Sequence, residues 1–148
     1  MRLKIALVGL VSGLAVTGCE QDKICAPNVS DRELLAQYAG RSLQEVYDRH
    51  LELVSRCTPP RSTLASRLAD FGPAAKTYAL SKLQQGDSRS FIAASSVIGT
   101  VNAVGKVTCS EVEFAKLSQA ARRLEVGKAK PIYVASVLDA CGLKKNSR

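Results

Sequence analysis

The chain has 148 residues, no tryptophan, one histidine and a formal net charge of +8. A chain of this size can form one core that buries roughly two thirds of its surface, so we expect a single domain. Modules that bind single-stranded nucleic acid need exposed aromatic rings. Aromatic residues make up 5% of this chain, mostly within apolar patterns. The composition therefore argues against such a module in spite of the positive charge.

The first residues have the pattern of an export signal. Arg2 and Lys4 precede a mostly apolar run over 5–16, and this run is too short to cross a ~30 Å hydrocarbon core as a permanent helix. We therefore predict a signal peptide over 1–18 and not a transmembrane span. Its removal takes away two basic residues and lowers the net charge from +8 to +6.

The signal ends in Val16-Thr17-Gly18-Cys19, which resembles the lipobox of bacterial lipoproteins. In that family the cysteine is alkylated with diacylglycerol, the signal is cut just before it, and the new amino terminus is usually acylated, for example with palmitate. The resemblance implies a covalent diacylglycerol and an N-acyl chain on Cys19, with no other cofactor. Two or more acyl chains make a stable anchor. The alternatives are a plain secretory peptide or an ordinary cleavage region whose cysteine joins a disulfide.

The same resemblance predicts the location of the protein. The mature chain would be anchored in the bacterial cell envelope and face the periplasm. Glu20 follows the cysteine, and in the enterobacterial sorting pattern the lack of Asp at that position favours the outer membrane over the inner membrane.

Four cysteines remain once Cys19 is assigned to lipid: Cys25, Cys57, Cys109 and Cys141. An even number in an oxidising compartment is typical of disulfides, and four cysteines allow three pairings. Cys25 and Cys57 are 32 residues apart, and so are Cys109 and Cys141. This equal separation favours those two pairs, with unpaired buried thiols as the alternative. No Cys-x-x-Cys or Cys/His spacing is present, so we expect no metal site.

Helical signals fill residues 30–143, between a lipidated tether over 19–29 and a basic tail over 144–148. Capping-box pairs at Ser30 and Glu33, Ser42 and Glu45, and Ser110 and Glu113 predict helix starts. The predicted helices cover about 31–39, 43–56, 62–71, 73–86, 88–104, 110–124 and 131–142. We therefore predict an all-α fold, a small stack or bundle of about six to seven antiparallel helices arranged as α-hairpins, with two disulfides.

A shift of 41 residues superposes two segments of the sequence. It lays 83–86 over 124–127 and 91–97 over 132–138, so that a helix, a glycine turn and a second helix recur. This period resembles HEAT-like α-hairpin repeats, in which each hairpin buries its apolar face against the next. A generic bundle with chance similarity is the alternative. In the predicted helices, each cysteine pair brackets one antiparallel helix pair at the same end.

Three polar residues within apolar patterns are of types that can act as catalytic groups. His50 lies in the stripe of the second predicted helix, and Ser95 and Ser96 lie near Gly99 among small residues of the fifth. No second histidine, nucleophile motif, paired carboxylates or phosphate loop accompanies them. We therefore interpret His50 as a packed or half-exposed side chain. The serines, together with Ala93, Ala94 and Gly99, are interpreted as small residues that let a neighbouring helix approach closely. No catalytic residue is assigned, and we do not expect an enzyme.

The sequence favours a non-enzymatic protein-interaction or assembly module, anchored to the membrane, with an unidentified envelope protein as its partner and no nucleic acid. Pilotins, small α-helical lipoproteins that escort secretion or pilus components, are similar in size and anchoring. A second hypothesis is a binder of anionic envelope lipid or lipopolysaccharide, whose attraction would weaken with salt. The residues of that basic surface would be Arg122, Arg123, Lys128, Lys130, Lys144 and Lys145. An exclusion or immunity lipoprotein is a third hypothesis.

Overall fold

A computed structural model describes Cys25, residues 29–127 and residues 131–143. Within these residues the chain forms helices and no strand. The seven helices are α1 Asp31–Gln37, α2 Leu43–Arg56, α3 Leu64–Ala69, α4 Pro73–Ser81, α5 Ser88–Gly105, α6 Glu111–Leu124 and α7 Ile132–Ala140. The predicted all-α class is confirmed. The predicted signal peptide, Cys19, most of the tether, Lys128, Lys130 and the basic tail lie outside the described residues.

Serine and glutamate pairs fix the starts of α1, α2 and α6. At α2 the Glu45 backbone N–H donates to Ser42 Oγ over 3.3 Å, and the Ser42 N–H donates to Glu45 Oε2 over 3.0 Å. Ser30 and Ser110 cap α1 and α6 in the same way. Each pair satisfies two backbone N–H groups that the helix itself leaves unbonded. All three predicted capping boxes are confirmed.

Four helices are shorter than predicted by two residues or more, among them α7, which covers Ile132–Ala140 instead of 131–142. α1 ends at Gln37 instead of residue 39, and α3 begins at Leu64 instead of residue 62. α4 ends at Ser81 and does not continue toward residue 86. There the Gln84 N–H donates to Ser90 Oγ over 3.0 Å, and the Leu83 N–H bonds three residues back. A side chain of α5 therefore replaces the carbonyl that would have extended α4.

α5 is the central helix of the fold. The helices α2, α3, α4, α6 and α7 all pack against it, and its buried residues include several small ones. Two core clusters meet along α5. The first contains Leu34, Val46, Tyr47, Leu53, Cys57, Leu64, Leu68, Ala75, Ala79, Ala94, Val97 and Val101. The second contains Phe91, Ile98, Leu117, Ala120, Ala121, Val137 and Cys141.

In each of two successive helix pairs, a glycine with positive φ lies between the two helices of the pair. Gly86 has φ 80° between α4 and α5, and Gly127 has φ 78° between α6 and α7. The first helices of the two pairs contact each other, and so do the second helices. Positions matched by the 41-residue shift differ in burial, since Phe91 is fully buried and Ile132 is 61% exposed. The HEAT-like repeat therefore stays a prediction.

The apolar spacing of the last helix predicts a core side of Ile132, Val134, Ala135, Val137 and Leu138, and the spacing in α5 predicts that Val104 is buried. The structure corrects both predictions in part. Ile132, Ala135 and Leu138 of α7 lie at the surface, and Val137 and Ala140 carry its buried side. Val104, expected in the stripe of α5, is 70% exposed. α7 is apolar around much of its circumference. It packs mainly against α5 and α6, and these two helices cover only a narrow strip of its surface.

Both predicted disulfides are present. The Cα atoms of Cys25 and Cys57 lie 5.3 Å apart, and those of Cys109 and Cys141 lie 4.7 Å apart. The first bridge fixes Cys25 to the end of α2, and the second joins the start of α6 to the end of α7. In the chain-entropy model each loop of this length contributes roughly 3 to 4 kcal/mol of stability. None of the described helices combines the length and apolarity needed to span a membrane.

Candidate functional site

A groove runs between α5 and α7, and the loop before α3 forms one edge of it. Its volume is about 500 Å³, and we call it the α5–α7 groove. It is lined by Pro60, Ser62, Ile92, Ser95, Ser96, Gly99, Thr100, Ala103, Ser136, Asp139 and Ala140. The volume is within the range of pockets that bind small molecules or a few side chains of a partner.

Close contact between α5 and α7 forms part of the groove wall. A Cβ atom added to Gly99 would lie 3.2 Å from Ala140 Cα and 3.5 Å from Ala140 Cβ. Phe91 and Tyr133 make an edge-to-face ring pair at 5.5 Å, so the two helices run in the same direction. The prediction that small residues of α5 allow close approach of another helix is confirmed at Gly99, where the neighbour is α7.

Hydroxyl groups account for most of the polar side chains that line the groove, beside the carboxylate of Asp139. Ser95 Oγ donates to the Ile92 carbonyl over 3.1 Å, and Thr100 Oγ1 donates to the Ser96 carbonyl over 2.8 Å. Ser136 Oγ donates to a carbonyl of α7 in the same manner. Because each hydrogen is used within the helix, the oxygen lone pairs remain available as acceptors. The groove is therefore suited to a partner that brings N–H or O–H donors and small apolar groups.

His50 lies directly behind this wall. Its Nε2 is 2.9 Å from Ser96 Oγ and 3.3 Å from the Ala93 carbonyl oxygen. Ser96 Oγ donates to that same carbonyl over 2.9 Å, so we assign the Nε2 hydrogen to a bond toward Ser96 Oγ. In this tautomer His50 cannot take a proton from Ser96. The His50 and Ser96 pair thus positions a serine of the groove, and no local pattern indicated a contact between residues 46 positions apart.

Burial determines the charge state of His50. Of the packed and half-exposed alternatives, the structure shows the packed one, since the side chain is fully buried. Burial lowers the pKa of His50 to about 4, and the hydrogen bond with Ala93 opposes this shift. Nδ1 has no hydrogen-bond partner among the described residues. The imidazole is therefore neutral near pH 7 and adds no charge to the groove.

A second buried polar group, the Lys76 side chain, was not predicted from the sequence. Lys76 is 8% exposed, and its Nζ lies 2.8 Å from Asn102 Oδ1 and 2.8 Å from Glu113 Oε2. Asn102 Nδ2 donates to the Ala140 carbonyl over 3.0 Å. These contacts join α4, α5, α6 and α7. The one local signal is that Lys76 follows Ala75, which the helical spacing of Ala75, Ala79 and Leu83 places on the apolar face of the helix.

The environment of Glu113 keeps its carboxylate ionised beside Lys76. Partial burial raises the pKa of Glu113, but hydrogen bonds from Lys76 and from the Ser110 backbone outweigh burial, so the pKa lies below the usual value of a glutamate. A lysine and a carboxylate held together in this way satisfy each other's charge inside the fold. The arrangement is therefore a structural tie between helices.

Part of the predicted basic surface lies in the described residues. Arg122 and Arg123 are exposed on the last turn of α6, where positive charge is favourable. They border a shallow cleft of about 440 Å³, which also includes Phe114, Ala115, Ser118 and Gln119. Neither guanidinium has an ion-pair partner among the described acidic residues. Lys128, Lys130, Lys144 and Lys145 lie outside the described residues.

Among the described residues no group of three or more His, Cys, Asp or Glu side chains is placed to hold a metal ion. The geometry thus presents two candidate binding surfaces, the α5–α7 groove and the cleft beside Arg122 and Arg123. Comparison of the chain with protein family models, curated proteins and solved structures finds no match.

Proposed function

We propose that the protein is a lipid-anchored component of the bacterial cell envelope, facing the periplasm from the outer membrane, and acts as a non-enzymatic protein-interaction or assembly module. Two features support the anchoring. Val16-Thr17-Gly18-Cys19 resembles a lipobox, and the remaining cysteines form two disulfides. Disulfides persist in oxidising compartments outside the cytoplasm.

The α5–α7 groove is the observation that carries the interaction role. It is open to solvent, holds about 500 Å³ and is lined by small residues and hydroxyl acceptors. Its walls are held by the Gly99 and Ala140 contact, by the His50 and Ser96 pair and by the second disulfide. A groove whose walls are fixed before binding loses little conformational entropy when a partner enters. We expect a segment of an envelope protein to occupy it.

The anchor is tested on the protein produced in its cell. Mass spectrometry of the amino-terminal peptide should find Cys19 as the first residue, carrying diacylglycerol and an N-acyl chain. An unmodified amino terminus would contradict the anchoring proposal.

The partner site is tested with paired substitutions. Ala103 borders the groove at the end of α5, and Ala36 lies exposed at the end of α1. A photo-crosslinking amino acid at position 103 should yield a defined envelope adduct that is absent when the probe is at position 36. Ala103→Arg should abolish binding of that partner, whereas Ala36→Arg, which adds the same charge in the last turn of another helix, should not. Equal adducts from both positions would contradict a role for the groove.

The cleft beside Arg122 and Arg123 favours a second function, binding of anionic envelope lipid or lipopolysaccharide. Phe114 offers apolar surface next to two exposed guanidinium groups. Arginine forms bidentate hydrogen bonds with phosphate, and such surface interactions weaken as salt screens the charges.

This second function is tested with anionic vesicles and the domain lacking its lipid. Binding should fall with added salt and should be lost in Arg122→Glu/Arg123→Glu. Arg32→Glu/Arg89→Glu makes the same change in net charge at other exposed arginines and should retain most of the binding. Loss of binding in both double variants would indicate net charge alone, and binding that is indifferent to salt would contradict the proposal.

A further inference from the structure

The first disulfide holds Cys25, which follows the proposed lipidated residue Cys19 by six positions. We define the Cys25 pole as Cys25, Val29 and residues 57–61, which together line a cleft of about 240 Å³. We infer that the Cys25 pole is the surface of the domain that faces and contacts the membrane. This inference rests on the proposed lipidation of Cys19.

The distance between Cys19 and Cys25 limits how far the domain can stand from the bilayer. Cys25 is covalently fixed to Cys57 at the end of α2. The six residue steps from Cys19 to Cys25 reach about 20 Å when fully extended. A domain of roughly 115 residues has a radius of gyration of about 13 Å, which corresponds to a diameter of about 35 Å. The side of the domain opposite Cys25 cannot face the bilayer. Cys25 would then lie about one domain diameter from the lipid, which is farther than the tether from Cys19 can reach.

A second clamp supports the same orientation. The Arg61 guanidinium donates to the Val29 carbonyl over 2.6 Å and to Asp31 Oδ1 over 2.7 Å. Thr63 Oγ1 donates to the same Asp31 oxygen over 2.7 Å. The chain is therefore fixed to the loop before α3 both at Cys25 and at Val29. The disulfide sets the shorter tether, since without it the ten residue steps to Val29 would reach about 35 Å.

The exposed part of the pole is suited to a headgroup layer. Thr58, Pro59 and Pro60 are exposed and uncharged. Proline has no backbone N–H. The loop therefore has two fewer hydrogen-bond donors that would lose their water on contact with lipid. Pro60 also borders the α5–α7 groove, so this orientation places one edge of the groove near the bilayer.

The test uses the lipidated full protein in vesicles of phosphatidylethanolamine and phosphatidylglycerol that carry a headgroup spin-label quencher. A fluorescent amino acid is placed at Pro60 or, as a control, at Val126, which is 82% exposed at the turn after α6. Val126 precedes the start of α7, whereas Pro60 lines the α5–α7 groove together with Ala140 at the end of α7. Quenching should be several-fold stronger at position 60. Equal quenching, or stronger quenching at position 126, would overturn the inference.

Two further variants test the tether argument. A flexible ten-residue Gly/Ser insertion after Glu20 leaves the described domain unchanged and should bring the quenching ratio of the two positions close to one. Cys25→Ser/Cys57→Ser should reduce the ratio as well, with circular dichroism reporting whether the helices persist. A ratio unchanged by the insertion would overturn the argument from tether length. Mass spectrometry of the same sample separates the proposals. A lipid-free Cys19 would overturn both, whereas a lipidated protein with equal quenching would overturn the orientation alone.

Discussion

At the scale of single residues, His50 is held neutral inside the core. Burial lowers its pKa to about 4, whereas the ordinary value of histidine is about 6.5. The unfolded chain therefore takes up a proton at pH values where the folded protein does not. By linkage, the resulting contribution to stability is complete above about pH 6.5 and is lost as the pH falls toward 4.

We predict that the free energy of unfolding decreases by about 2 kcal/mol between pH 8 and pH 5 because of His50. Urea unfolding at a series of pH values measures this decrease. The variant His50→Gln removes the titrating group and should flatten the curve over that interval.

The carboxylates provide the contrast for this measurement. Hydrogen bonds from Arg61 and Thr63 lower the pKa of Asp31, and hydrogen bonds from Ser42 lower the pKa of Glu45. Their contributions are present above the ordinary carboxyl range and are lost below about pH 4.5. A slope between pH 8 and pH 5 that persists in His50→Gln would contradict the assignment to His50.

At the scale of elements, the packing of α5 against α7 depends on a small residue, Gly99, and on the way in which the two helices end. Gly99 lets α5 approach α7. Beyond α5 the chain reverses through Lys106, which has φ 53°, a conformation that non-glycine residues rarely adopt. The Val107 N–H donates to the Asn102 carbonyl over 2.9 Å and closes this helix end. α7 ends in a related turn at Gly142, with φ 69° and a 2.8 Å bond from the Leu143 N–H to the Leu138 carbonyl.

We predict that Gly99→Leu lowers the free energy of unfolding by about 1 to 3 kcal/mol, because the added side chain meets the α7 backbone at Ala140. Chemical denaturation measures the change. Gly105→Leu is the matched control in the same helix. A Cβ at Gly105 would meet only a Val107 methyl group, at 3.5 Å, so this variant should be neutral or slightly more stable. Similar losses in both variants would contradict a role for the α5 and α7 contact.

For the molecule as a whole, each disulfide is part of one of the two core clusters that meet along α5. Cys57 belongs to the first core cluster and Cys141 to the second. The two bridges share no helix, since one involves the end of α2 and the other the ends of α6 and α7. Loss of one bridge should therefore leave the other intact.

We predict that Cys141→Ser leaves Cys109 open to alkylation and leaves Cys25 and Cys57 protected, with a loss of stability of roughly 3 to 4 kcal/mol in the chain-entropy model. Peptide mapping after labelling of the native protein measures the exposed thiols. Cys57→Ser is the reciprocal control and should expose Cys25 alone. Labelling of all three remaining cysteines in Cys141→Ser would contradict independent bridges.

Much of the secondary structure could be predicted because its signals are local. A serine three residues before a glutamate starts α2 whatever the rest of the chain does, and Pro73 and Gly142 act through their own backbone preferences. The disulfide pairing was predicted from the equal separation of 32 residues within each cysteine pair. For the second pair, the packing of α6 against α7 brings Cys109 and Cys141 together. The candidate site was less accessible, because only the small residues of α5 indicated where another helix would pack.

Local signals were enough to predict the helical class and most helix starts, since capping and chain reversal depend on residues a few positions apart, and the equal spacing of the cysteines was enough to predict both disulfides. Only the packing of the helices shows that Ser96 contacts His50, that Lys76 is buried against Asn102, and that Val104 and Ile132 are exposed. Periodicity shows that a helix has an apolar face. Which part of that face is covered depends on neighbours that are distant in the chain, and these contacts form only when the whole bundle packs around α5.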